Sequence, residues 1–179
     1  MWTRLLTSAL LVLALAAPAV AQRSSLQIFR SVQRQVLSYP QFTVFDSVNA
    51  QIKDGVVTLT GKVTTELKRK ELEQRVSKVQ GITSVHNLLE VLPASRSDDE
   101  LRRAIANAIY GHSAFSNYAT QVNPPIHIIV DRGHVTLDGV VLNEVDRAIA
   151  RSIASGFLAF SVKNELKTEA EVQQELEKL

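Results

Sequence analysis

The chain has 179 residues, with 20 Lys and Arg against 18 Asp and Glu, so no whole-molecule field would hold it on nucleic acid. It contains no cysteine, which excludes disulfides, thiolate metal sites, a cysteine nucleophile and the lipid-bearing cysteine of a lipoprotein. The fold must stand on packing alone, and the length suits one ordinary domain or two small ones.

Arg4 precedes an apolar run from Leu5 to Ala17 that ends in Pro18 and the small-x-small triplet Ala19-Val20-Ala21. A bilayer span needs about 20 apolar residues, so residues 1–21 read as an export signal cleaved after Ala21, with an uncleaved anchor as the alternative. The mature chain then starts at Gln22. Such a signal serves periplasm and secretion alike; we expect the periplasm.

Leu26, Phe29, Val32 and Val36 recur at helical spacing. A hairpin follows, because apolar residues alternate on both sides of Asp54-Gly55. Folding about that turn pairs Ile52 with Val57, Ala50 with Leu59 and Val48 with Gly61 on an apolar face. Lys53 with Val56, Gln51 with Thr58 and Asn49 with Thr60 make a polar, wet face. Leu72, Val76 and Val79 mark a crossover helix, and Ser84 to Leu92 a last strand. Beyond a linker at 93–98 the order recurs. The segment Ser97-Asp98-Asp99-Glu100 reads as a cap before the stripe Leu101, Ala104, Ile105, Ala108 and Ile109. A hairpin at Arg132-Gly133 pairs Val130 with Val135, Ile128 with Leu137 and Ile126 with Gly139. Val145, Ala148, Ile149 and Ile153 then mark a second crossover helix, Phe160 to Lys167 a last strand, and 169–179 an acidic helical tail.

The chain is thus a tandem duplication: Asp54 to Val63 aligns with Arg132 to Val141, Glu66 and Arg69 with Glu144 and Arg147, and Val85-His-Asn87 with Val162-Lys-Asn164. With one apolar sheet face per copy, the expected fold class is α+β: two α-β-β-α-β modules at 22–92 and 99–168, each a three-stranded sheet with two helices on one face. Parallel second and third strands would be joined by a right-handed crossover. Gly61 and Gly139 leave room for a close helix, or mark bulges.

Catalytic constellations are not found. His127 and His134 share a face but stand about 13 Å apart along the strand, too far to share an ion. His127 opposite Asp138 reads as a solvated cross-strand pair, and His86 and His112 have no companion that sequence can place. Asp98 and Asp99 serve a helix start, and Ser152 to Gly156 a helix exit. No phosphate-cradling glycine motif or nucleophile elbow occurs. We expect no cofactor and no metal.

Two basic clusters remain as candidate contacts: Lys62, Lys68, Arg69 and Lys70 around the first crossover helix, and Arg102 and Arg103 beside Tyr110 on the polar side of the second copy's first helix. Each is a solvated helix face or a site for anionic headgroups. Phe115 and Tyr118 belong either to the core or to an interface.

The pattern D-G-x-V-x-L-x-G-x-V from Asp54 to Val63, followed by G-I-x-x-V-x-N-x-L from Gly81 to Leu89, resembles the BON domain, named for bacterial OsmY and nodulation proteins. The second copy departs at Arg132 and lacks the glycine near Ala159 and Phe160. The resemblance implies a non-enzymatic, periplasmic, stress-related envelope protein. Its partners would be an anionic phospholipid surface or, in a chaperone-like role, exported or envelope proteins. Nucleic acid is not implied.

Overall fold

The computed structural model describes residues 25–177, and the expected export signal lies outside them. The elements run α1 Ser25–Leu37, β1 Ser47–Lys53, β2 Val56–Val63, α2 Glu66–Ser77 and β3 Ser84–Val91, then α3 Arg96–Gly111, α4 Ser116–Ala119, β4 Ile126–Asp131, β5 His134–Val141, α5 Glu144–Ala154, β6 Ser161–Asn164, β7 Lys167–Thr168 and α6 Glu169–Leu176. This is the α+β tandem expected from the repeat.

Both hairpins keep the register read from alternation, including Ala50 opposite Leu59 and Ile128 opposite Leu137. Their turns place Asp54 and Arg132 at φ 51° and the following glycines at φ 78° and 77°, the mirror-image turn whose twist matches that of the strands. The last strand of each module lies parallel to the second, from Val56 opposite Ser84 onward in one and His134 opposite Ser161 in the other. In the second module it breaks at Glu165 and resumes as β7, so that sheet counts four strands rather than three.

Each module has its own core. Ile28, Val32 and Val36 of α1 and Leu72 and Val76 of α2 cover Val57, Leu59 and Val63. Ile105, Ala106 and Ile109 of α3 and Ala150 and Ala154 of α5 cover Ile128, Val130, Val135 and Leu137. The buried stripes of three helices are rotated from expectation. Ile28 replaces Leu26 and Phe29 at the centre of α1, Ala104 of α3 is exposed, and Val145 and Ala148 of α5 face solvent. Ile149 and Ile153 of α5 do pack against the core, but its fully buried residues are alanines standing where the first module has Leu72 and Val76, and hydrophobicity alone missed them. Phe115 and Tyr118, both buried, refill that volume from the turn after α3.

The linking segment is shorter than expected. Ser95 caps α3 by accepting from the Asp98 amide, so the helix begins at Arg96. Asp98, freed from capping, reaches the opposite hairpin: its carboxylate oxygens accept from the amides of Arg132 and Gly133 at 2.8 and 2.9 Å. At Gly61 and Gly139, φ is +122° and +114°, and the crowding neighbour is backbone at the start of the preceding strand, Ser47 and Pro125, not a helix.

Candidate binding surface

Ion pairing takes up most of the basic residues singled out from sequence. Lys68 is buried and donates to Asp46 at 2.6 Å and to the Thr64 hydroxyl at 2.7 Å. Asp46, wholly buried, also accepts from the amides and hydroxyls of Thr43 and Thr64, so the cluster is a satisfied buried ion pair joining the loop before β1 to the end of β2 and the start of α2. Arg102 does not sit on the polar side of α3. It is buried, its guanidinium donates to the Val130 carbonyl at 3.1 Å, and it pairs with Asp99 at 3.3 Å. Tyr110 points inward as well, its hydroxyl donating to the Ile126 carbonyl and accepting from the Ile126 amide, and burial pushes its phenol above the ordinary range.

Arg69 pairs with Glu66 one turn away, as Arg147 does with Glu144. The carbonyls of these two arginines accept from the Asn87 and Asn164 side chains, each at 2.9 Å. That explains the aligned asparagine of the repeat: it pins the last strand to the crossover helix. Lys70 and Arg103 remain exposed, Lys70 with only a 3.9 Å approach to Glu66.

Lys62 bridges the modules. It donates to Asp131 at 2.5 Å and lies 3.5 Å from Glu90, which raises the lysine's pKa and holds the Asp131 carboxyl below its usual range. Around it the first module covers the outward face of the second sheet, which alternation alone marks as wet. The Val44 carbonyl accepts from the Ile128 amide at 2.7 Å, Ser47 donates to Asp138, and Phe42 lies against the His127 ring at 5.3 Å. Ile129 is buried as a result. His127 opposite Asp138 is therefore not a solvated pair. Burial lowers the pKa of the imidazole, against the opposing pull of Asp138 and the backbone at Asp46 and Thr43. At this junction Lys62, Ile129, Asp131, Arg132, His134 and Thr136 line a shallow depression of about 250 Å³. Among the described residues, no three His, Cys, Asp or Glu side chains gather to hold a metal.

The outward face of the first sheet stays open, with Asn49, Gln51, Lys53, Thr60, His86 and Leu88 exposed. Apolar exposure concentrates on the second module, at Val122, Leu142, Val145, Leu158 and Phe160. Sequence reading passed over Val122, Leu142 and Leu158, assigned Val145 to the apolar stripe of the crossover helix and Phe160 to the last strand, and also passed over Asp46 and Phe42. Thr43 three residues before Asp46 is a turn signature that pointed to the aspartate, whereas nothing local marks Phe42.

Fold and surface together define a tandem pair of small two-layer α+β modules. The chain belongs to the BON domain family, whose model matches residues 26–93 and 97–170. Proteins of this family are typically periplasmic and envelope-associated, and the family is non-catalytic. No curated protein matches the chain. Two solved structures of CdsD, a structural protein of the type III secretion system of Chlamydia trachomatis, are similar at 14% identity. One match covers 84% of this chain and 97% of the other with a TM-score of 0.31. The second, the CdsD C-terminal domain, covers 87% and 71% with a TM-score of 0.33. No helix of the described residues is long and apolar enough to cross a membrane.

Proposed function

We propose that this protein is a non-enzymatic, exported envelope protein that binds phospholipid surfaces and helps maintain the envelope under osmotic or other stress. In this reading residues 1–21 direct export and are removed, and 22–92 and 99–168 are the two binding modules. The observation that carries it is the set of exposed apolar side chains on the second module, from Val122 to Phe160, on a molecule with nearly balanced charge. Apolar groups on a water-facing surface mark a site for a partner or a membrane. Of the basic residues first considered, Lys70 and Arg103 stay available to headgroups, while Lys68 and Arg102 act inside the fold.

Co-sedimentation of the chain from Gln22 to Leu179 with neutral and anionic vesicles, at low and moderate salt, tests this reading. Binding that requires anionic lipid and weakens with salt is the expected result. No binding under any condition overturns it and leaves a chaperone-like, protein-partner role. That second reading draws on β3, an eight-residue strand at the edge of its sheet with Leu88 exposed, which offers unpaired backbone groups to an incoming strand.

A further inference from the structure

The loops that lead from the crossover helix into the last strand occupy the same place in both modules. The Thr83 amide donates to the Gly55 carbonyl at 2.8 Å, and the Phe160 amide donates to the Gly133 carbonyl at 2.9 Å. What the two loops present is different. In the first, Gly81 offers no side chain and the Thr83 hydroxyl turns back to the Gly55 carbonyl. In the second, Leu158 is 102% exposed and Phe160 is 82% exposed.

That exposure is built in. Phe157 and Ala159 pack against the core, so the alternating Leu158 and Phe160 must point out. The Phe160 ring lies over Gly133, where an added Cβ would come within 2.7 Å of it, and its centroid is 5.7 Å from that of His134. The bond from its own amide and the contact with the turn glycine place the ring on the outside of the hairpin turn. Arg132, at the tip of the adjoining hairpin, is 81% exposed and meets a carboxylate only at 4.0 Å. Arg151, in the last turn of α5, is exposed and has no ion pair among the described residues. Lys163 and Arg96 are also exposed but are matched by Glu165 and Glu100.

We propose that the loop between α5 and β6 is a membrane wedge, with Leu158 and Phe160 entering the acyl boundary of an anionic bilayer and Arg132 and Arg151 meeting its headgroup phosphates. The inference rests on the phospholipid reading above and adds the place and the manner of contact. An exposed apolar pair beside the loosely paired Arg132, with Arg151, unpaired among the described residues, seven residues before Leu158 in the chain, has the composition that lies at a headgroup boundary.

Tryptophan occurs only at Trp2, so Phe160→Trp in the chain from Gln22 to Leu179 supplies a single indole at the wedge. Its emission should shift to the blue and be quenched by brominated acyl chains on phosphatidylglycerol vesicles, and not on phosphatidylcholine. Leu158→Ser with Phe160→Ser should lower partitioning at least tenfold with an unchanged thermal midpoint. Arg132→Gln and Arg151→Gln should each lower it about fivefold. Parent protein that binds anionic vesicles while the serine variant binds equally well overturns the wedge and leaves the phospholipid reading standing. Equal indole shifts on both lipids overturn the anionic selectivity. Parent protein that binds neither vesicle overturns both.

Discussion

Arg132 and Asp98 show how one residue's strain is met by another's hydrogen bonds. A non-glycine residue at φ 51° sits in a region that disfavours a side chain, and the first module fills the same position with Asp54. The Asp98 carboxylate holds the second turn in that shape through the amides of residues 132 and 133. Arg132→Asn should relieve the strain and raise stability by about 1 kcal/mol in urea titration, since asparagine tolerates this conformation. Lys68 is the opposite case, a charge whose loss would leave Asp46 buried beside hydroxyls and amides alone. Lys68→Ala should cost about 3 kcal/mol by the same titration.

The modules share a hydrogen-bond plan but differ in how their helices fill the core. The helix–strand asparagine, the turn and the close strand crossing at the second glycine occur in both. At Gly139 a Cβ would stand 1.9 Å from the Pro125 carbonyl oxygen, at a backbone angle open to glycine. Gly139→Ala should therefore lower stability by about 3 kcal/mol in thermal or chemical unfolding, whereas Gly111→Ala, with open space around it, should not destabilise. The replacement of Leu72 and Val76 by Ala150 and Ala154, offset by Phe115 and Tyr118, shows that equivalent elements can carry different apolar patterns. Val32 and Val36 of α1, Leu72 and Val76 of α2 and Ile105 and Ile109 of α3 kept the core positions that periodicity assigned to them, while Arg102 and Lys68 took inward positions that periodicity did not mark.

At the scale of the whole molecule the two sheets meet through residues 42–47 and Lys62, with His127 enclosed between them. Because burial depresses the imidazole's pKa below the ordinary 6.5, the unfolded chain binds a proton more readily than the folded one. Stability linked to this group is present above pH 6.5 and declines as pH falls from there toward the lower folded value. His127→Gln should flatten the pH dependence of the unfolding midpoint below pH 6.5, measured against the parent protein. Asp131 has the same sign in a more acidic window: its depressed carboxyl contributes stability that fades as pH falls below the carboxylate range.

Alternation about Asp54-Gly55 and Arg132-Gly133 determined the hairpins, their register and the repeat by itself, because a period of two leaves one way to bury an apolar face. The sequence also sufficed for the family and for the order of elements. Tertiary structure decided which charges are free. A basic side chain on a helix looks the same in sequence whether it meets water, as Arg103 does, or a buried carboxylate on a distant loop, as Lys68 does with Asp46. It also decided that the second sheet's polar face is covered, since that depends on where another module docks, and it placed Leu158 and Phe160 outside because the backbone between them is anchored inward. Local pattern records which face of an element is apolar, and only the packing of distant segments records what each face meets.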